Sequence, residues 1–407
     1  MDDKKVLRDL AKQVADIAAK PVQDERRDLW RRHNSLERTR PLVIVLGMPY
    51  WQEVFPDDKL QCKDPFLREH ERSLRQKIHQ DMLNDDTVIE PFITVAPVYA
   101  TLCGDERWGA PMHFVHSTES RGAGYFEPPV KTEEDISRIV PQPHRINETT
   151  SIERFNKIRD AVGDIIHVYL NRAPIYSGWH ADMSTDVARL LGLENFMLYM
   201  LDRPEWLHKV QALMRDGVLA QQQQAEDAGD WHLFNHNSQA MCYCRELAGP
   251  SEHTEPVKRD KLWAFFASQE TTLVSPTMFD EFVLQYQIPI ISKFGLSAYG
   301  CCEDLTNKVH LVKKIPNLRR FSVTPWADVA KCAELIGTDY VFSWRPSPAE
   351  MICRGYDAKR ARKLTREGLK ACKGCHVDIT LKDVETIGGR FDQLINWVKV
   401  VREVSGK

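Results

Sequence analysis

From residue 151 onward the chain alternates short β-rich runs with longer helical runs. This rhythm restricts the fold more than any other feature. Strands that are each followed by a helix pair in parallel, because a parallel return needs a crossover of a dozen or more residues. IIHVYL (165–170), WHLFNH (231–236), WAFFAS (263–268), LSAYG (296–300), LRRFSV (318–323), DYVFSW (339–344) and HVDITL (376–381) read as strands, and helical patterns separate nearly all of them. Upstream, PLVIVLGMPYW (41–51) carries the aliphatic run Val43 to Leu46, stopped by Gly47 and Pro49. Eight strands with intervening helices predict a (β/α)8 TIM barrel rather than an open sheet.

The remaining segments fit around that barrel. Residues 1–40 are highly charged at helical spacing and predict an N-terminal helical extension, ending at Arg40-Pro41. Residues 65–84 predict a further helix. TVIEPFITVAPVY (87–99) is β-branched but broken by prolines, so it reads as edge-like or irregular. Residues 100–150 are rich in Gly, Pro and charge, which makes the stretch around 90–150 an insertion. At 275–295 a helix is expected, with Ser275 as N-cap and Pro276 at its first position. The run Gln221–Gln224 reads as a solvated helix face. A length of 407 residues would allow two or three domains at roughly 150 residues each. No linker interrupts the chain, however, and one barrel with insertions can use residues 41–407 alone.

Composition removes several classes of function. Apolar residues make up 43% and charged residues 28%, values that allow a packed core. The net charge of −3 supplies no basic field for nucleic acid or an anionic membrane. No apolar run approaches the ~18 residues of a membrane helix, and the N-terminus lacks the apolar stretch of a signal peptide. A cytoplasmic location is the expectation. Ten cysteines are too sparse for a disulfide scaffold and should be thiols, core residues or metal ligands. There is no GxxxxGK[ST] loop, no GxGxxG after a strand, no GxSxG elbow and no HExxH helix.

In a TIM barrel the reactive groups sit at the C-terminal ends of the strands. The polar residues just past each expected strand include Asn235 and His236, Glu270, then Cys301, Cys302 and Glu303, then Arg345, and finally Lys382 and Asp383. His, Glu and Cys recur in this rim, which suits a transition metal such as Zn²⁺. YGCCED (299–304) is the most informative segment. Adjacent cysteines at a strand end point in different directions, so one of Cys301 and Cys302 should face the barrel axis. Its thiolate could bind zinc or act as a nucleophile. Cys242-x-Cys244 and Cys372-x-x-Cys375 also have metal-like spacing, but the second precedes the last strand and belongs at the opposite end. Trp51, Tyr99, Trp326 and Trp344 fall near strand ends, where they could line an apolar pocket.

Three segments carry a family resemblance. SPTMFDEFVLQYQIPIISKFG followed by a strand is similar to a helix of the uroporphyrinogen decarboxylase superfamily. NRAPIYSGWHADMSTDVARLLGLENFMLYMLDRPEWLHKVQALM resembles the strand, helix and next helix start of that family, and FNHN (234–237) stands in place of its FDSW. The resemblance runs from about 160 to 400 and implies the same barrel. True decarboxylases of the family carry an Asp where this chain has Asn235. They also have an arginine-bearing RQAGRY motif that is missing near 41–55. The resemblance is therefore to the branch of corrinoid-dependent methyltransferases. That branch has HxCG at the fifth strand, where this chain has YGCCE, and a second Cys near the end of the eighth, where it has Lys382-Asp383.

The resemblance implies a methyltransferase moving a methyl group between a small methylated substrate and a corrinoid carried by a partner protein, with zinc assistance and of the O-demethylation type. It implies catalytic roles for Asn235, Glu270, Glu303 and Arg345 and metal ligands among His236, Cys301, Cys302 and Asp383, with a homodimer allowed. The alternatives are a decarboxylase-like lyase and a non-catalytic barrel that binds a small molecule.

Overall fold

The computed structural model describes residues 2–47, 49–119 and 122–406. Among these residues the ten strands are β1 (Leu42–Leu46), β2 (Phe92–Val95), β3 (His113–Val115), β4 (Tyr125–Glu127), β5 (His167–Leu170), β6 (Trp263–Phe266), β7 (Leu296–Tyr299), β8 (Leu318–Val323), β9 (Val341–Trp344) and β10 (His376–Lys382). Six of them form one parallel sheet in the order β1-β10-β9-β8-β7-β6, curled as half of a barrel. The helices between consecutive strands cover its outer face, as right-handed parallel crossovers require.

Side-chain alternation decides what each face of the sheet carries. In HVDITLK, Val377, Ile379 and Leu381 join the large core beneath the helices. Asp378, Thr380 and Lys382 take the opposite, inner face. The same parity puts Phe321 and Val323 of β8, and Phe342 and Trp344 of β9, into the helix-side core. It turns Arg320, Ser322 and Ser343 inward. The inner face is therefore unusually polar, and its polar groups must find partners.

At the base of the half-barrel they do so together. The fully buried Asp378 carboxylate accepts from Arg320 Nη2 at 2.8 Å, Ser343 Oγ at 2.7 Å and Thr380 Oγ1 at 2.9 Å, and it lies 3.2 Å from His33 Nε2. Burial alone would raise its pKa, but the Arg320 charge and the His33 contact hold it well below the usual carboxylate range. His33 comes from the second of two N-terminal helices, α1 (Asp3–Ala18) and α2 (Pro21–Asn34). Pro21 opens α2 at the position where its missing N–H costs nothing. Trp30 of α2 packs into the inner face with Leu42, Ile44 and Tyr243. The expected N-terminal helical extension is present, and part of it plugs the sheet.

The expectation of eight strands in one barrel is corrected in two places. Residues 231–236 do not form a strand: Leu233–Asn235 is a single 3-10 turn. β2 and β5 pair with each other in a separate two-stranded parallel sheet. It is covered by α1, α4 (Pro65–Met82, which follows the short α3, Trp51–Val54) and α5 (Glu148–Val162) in a second core that includes Leu7, Ile93, Ile158 and Ile166. β2 lies within the stretch expected to be edge-like, and β3 and β4 form an antiparallel hairpin in the expected insertion.

The reason for the incomplete closure is visible at the two edges of the main sheet, which are sealed by side chains instead of strands. On β1, Val43 N–H donates to Asp86 Oδ2 at 2.8 Å and Val45 N–H to Asp85 Oδ2 at 2.9 Å. On β6, Trp263 N–H donates to His236 Nδ1 at 3.0 Å, and just beyond the strand Ala267 N–H donates to Asp182 Oδ2 at 3.2 Å. Side chains, rather than the backbone of a neighbouring strand, satisfy these outward N–H groups.

Two helix expectations meet different outcomes. Ser275 caps the helix that starts at Pro276, accepting from Met278 N–H. The Gln run is a solvated face only at Gln223 and Gln224. Gln221 and Gln222 are buried, and three of their amide atoms clamp the backbone of Tyr176 and Gln142. A polar run in a helix is read as exposed only when no irregular backbone lies opposite it. Among the described residues, no helix is long and apolar enough to cross a membrane.

Candidate active site

A cavity of about 630 Å³ opens at the C-terminal ends of β1, β7 and β10. Its walls include Leu46, Trp51, Val88 and Trp179, with Cys301, Cys302, Lys382 and Asp383 at one end. That size accommodates a small organic molecule.

Backbone geometry brings the two cysteines together. β7 ends at Tyr299, and Gly300 then adopts φ +100°, where an added Cβ would stand 2.8 Å from Leu305 Cδ1. The turn carries Cys301 and Cys302 off the strand, so their sulfurs lie 3.4 Å apart on one side instead of on opposite faces. Cys301 is buried and Cys302 exposed. Lys382 Nζ lies 3.0 Å from Cys301 Sγ and 3.8 Å from Cys302 Sγ. The hydrogen bond from the Cys302 thiol, followed by the charges of Lys382 and Arg345, outweighs burial and pulls the Cys301 thiol down to about 6. The thiolate beside it pushes the Cys302 thiol upward. The anion resides on Cys301 because its sulfur is the nearer to the ammonium, and the pair titrates as one unit.

Buried charges fix this end of the cavity from behind. Glu303 accepts from Cys301 N–H at 2.8 Å and Ser268 N–H at 2.9 Å, which ties the loop after β7 to the loop after β6. Arg345 donates to Cys301 O at 2.7 Å and to Gln239 Oε1 at 2.8 Å. Gln239 and Asp383, both on the cavity wall, have φ of +53° and +56°. Left-handed backbone at non-glycine residues is strained and persists only where the surroundings impose it.

The structure thus gathers some of the expected site residues and separates others. Cys301, Cys302 and Asp383 line the cavity, and Glu303 and Arg345 hold its cysteine loop. Glu270 does not line it. Its carboxylate accepts from Ser184 Oγ and Thr185 Oγ1, each at 2.7 Å. Asn235 and His236 lie on a different, smaller cavity of about 220 Å³. Asn235 donates to Asn171 Oδ1 at 2.9 Å and accepts from His232 N–H. His236 uses Nδ1 as the acceptor for β6 and Nε2 as a donor to Ala248 O at 2.9 Å. Burial pushes its pKa down to about 4, so it is a neutral imidazole with both nitrogens engaged. Of the aromatic residues expected at the rim, Trp51 lines the cavity. Trp326 is exposed and Trp344 packs against Gly368 on the helix side, while Tyr99 donates to Ala173 O.

The expected zinc set does not fit this arrangement. A zinc site needs three or four N, O or S donors around one point. Among the described residues no such group of His, Cys, Asp and Glu side chains occurs. His236 is committed elsewhere. The Lys382 ammonium, 3.2 Å from Asp383 Oδ2 and in contact with both sulfurs, stands where a bound cation would have to stand. Cys242 and Cys244 are buried in a small apolar cluster, and burial raises the pKa of each thiol.

Lys382 is the residue whose role was missed, although its parity was legible. In HVDITLK the apolar residues occupy alternate positions, which leaves Asp378, Thr380 and Lys382 on the inner face. Trp179, Gln239 and Lys77 carried no comparable signal, since each lies outside the expected strands.

The fold and the cavity together define a parallel α/β protein with a thiolate–ammonium pair at the strand C-termini. A solved methyltransferase from Methanosarcina mazei has a similar fold, with a TM-score of 0.52 at 12% sequence identity over 93% of this chain and 98% of that one. No protein-family model matches the chain, and no curated protein matches it.

Proposed function

We propose that this chain is an enzyme of the methyltransferase class. In this reading it transfers a methyl group from a small methylated substrate, held in the 630 Å³ cavity, to a corrinoid carried by a partner protein. The observation that carries the reading is the Lys382 ammonium, held at the cavity wall by the Cys301 thiolate and Asp383. The fold shared with a protein described as a methyltransferase supports it by analogy.

Methyl transfer from oxygen or nitrogen is slow because the departing heteroatom is a poor leaving group. A positioned acid corrects this by protonating the heteroatom as the methyl leaves. Lys382 is placed to donate that proton. Cys301 acts through it as a positioning residue, because its negative charge holds the ammonium at the cavity wall. The apolar walls exclude water, which strengthens the acid's interaction with developing negative charge. The reduced corrinoid supplies the methyl acceptor. The balance is one methyl group to the acceptor and one proton from Lys382 to the leaving atom, with the proton restored from solvent.

The test mixes purified protein, reduced free cobalamin and a panel of methoxylated aromatics and methylamines. Methylcobalamin formation is followed by its visible absorption. The reading requires turnover of at least one compound and its loss in Lys382→Met, with strong impairment in Cys301→Ala. Turnover of uroporphyrinogen without methyl transfer would overturn it, as would full activity in Lys382→Met.

A further inference from the structure

The cavity wall carries a second cationic residue that the proposed chemistry does not use. α4 presents Ser73, Gln76, Lys77 and Gln80 to the cavity, an i, i+3, i+4, i+7 stripe. Gln80 is consumed by Val45 O, Asp85 and Thr87. Lys77 is not consumed in this way. Its Nζ meets Glu90 O at a long 3.4 Å and lies 5.3 Å from the centre of the Phe92 ring. The Glu90 carboxylate is already engaged by Arg27 at 3.0 and 3.2 Å, by Ser251 at 2.9 Å and by Tyr243. Among the described residues, no carboxylate comes within ion-pair distance of Lys77.

The other charges of the cavity do not supply a counter-ion. Cys301 and Asp383, the anions on the cavity wall, are both already engaged with Lys382. An ammonium taken out of water without an anion is costly. Burial accordingly pushes the Lys77 pKa down to about 8. A ligand that brings its own negative charge removes that cost. A ligand with a cationic head adds to it.

We infer that Lys77 anchors a carboxylate on the substrate, so that the cavity selects small apolar molecules bearing one anionic end group. The apolar body then lies between Trp51 and Trp179. Only the further statement that the methylated end points to Lys382 rests on the methyl-transfer reading. Cationic methylamines are disfavoured as substrates, and methoxylated aromatic acids are favoured over their neutral amides.

Calorimetric titration without any methyl acceptor tests this separately from turnover. The probes are 4-methoxybenzoate, 4-methoxybenzamide and 4-methoxybenzylamine at pH 7. The acid should bind about tenfold or more tighter than the amide, the worth of one charge-assisted contact, and the amine weakest. Lys77→Met should abolish the preference for the acid while leaving amide binding unchanged, and Lys77→Arg should retain it. Thermal unfolding confirms that each variant is folded. Equal binding of acid and amide, absence of binding by all three, or a preference that survives in Lys77→Met but disappears in Lys382→Met would overturn the inference. Failure of methyl transfer alone would leave it standing.

Discussion

The Lys382 ammonium stands 3.0 Å from the Cys301 sulfur, although the two residues lie 81 positions apart in the chain. One is the last residue of β10 and the other lies just past β7. The contact joins the ends of β7 and β10 at one end of the cavity and, together with the hydrogen bond from Cys302, makes the thiol an anion near neutral pH. Its first consequence concerns reactivity. Alkylation of Cys301 by iodoacetamide should rise with pH around a midpoint of about 6, because only the thiolate reacts. Lys382→Met should move that midpoint up toward the ordinary thiol value and slow alkylation at pH 7 about tenfold. Peptide mapping of the labelled protein gives both numbers, and an unmoved midpoint would refute the pairing.

Gly300 should tolerate no side chain. Its φ of +100° and the 2.8 Å approach to Leu305 predict that Gly300→Ala costs ~1–3 kcal/mol. The variant should also alkylate more slowly at Cys301, because the turn that aims both sulfurs is displaced. Chemical denaturation and the same labelling assay measure the two effects.

The buried Asp378 network predicts a specific pH dependence. The folded pKa of Asp378 is depressed, so the stability it contributes is full above the unfolded carboxyl value of about 4. That contribution is lost as pH falls through the depressed folded value. Arg320→Met strands the carboxylate and should cost ~3–5 kcal/mol at pH 7. The deficit should shrink in acid, where the stranded carboxyl protonates and its penalty disappears. Unfolding curves of parent and variant from pH 7 to pH 4 decide this, and a constant difference would count against it.

His236→Ala separates the edge-sealing role from a metal role. It leaves Trp263 N–H and Ala248 O without partners, a loss of ~1–3 kcal/mol. The alkylation profile of Cys301 should be unchanged, since His236 faces the other cavity. A lost or shifted profile would place His236 back in the active site.

The strands of the main sheet were legible because each is an apolar or alternating run bounded by turn residues and followed by a helix. β6 to β9 and β1 fall within the expected segments, and β10 runs one residue past its own, to Lys382. WHLFNH misled for a reason of the same kind. It has the composition of a strand, but His236 already satisfies the neighbouring N–H of Trp263 through its side chain. Periodicity reports which side chains are apolar and is silent about which backbone groups are already paired. The candidate site divided along similar lines. Position after a strand drew attention to Cys301, Cys302, Glu303, Arg345 and Asp383, all of which lie at or behind the cavity. Asn235 and His236 were drawn in by an expected strand that does not form.

The sequence by itself determined the parallel α/β class, the helical N-terminus and the polar parity of HVDITLK, because these follow from local spacing and from the cost of burying unmatched groups. Tertiary structure alone decided that β2 and β5 pair apart from the main sheet and that Asp85, Asp86, Asp182 and His236 seal its edges. It also decided that Lys382 occupies the position a metal would need, and that Lys77 reaches the same cavity from α4. Each of these depends on distances between residues far apart in the chain, and no local pattern encodes such distances.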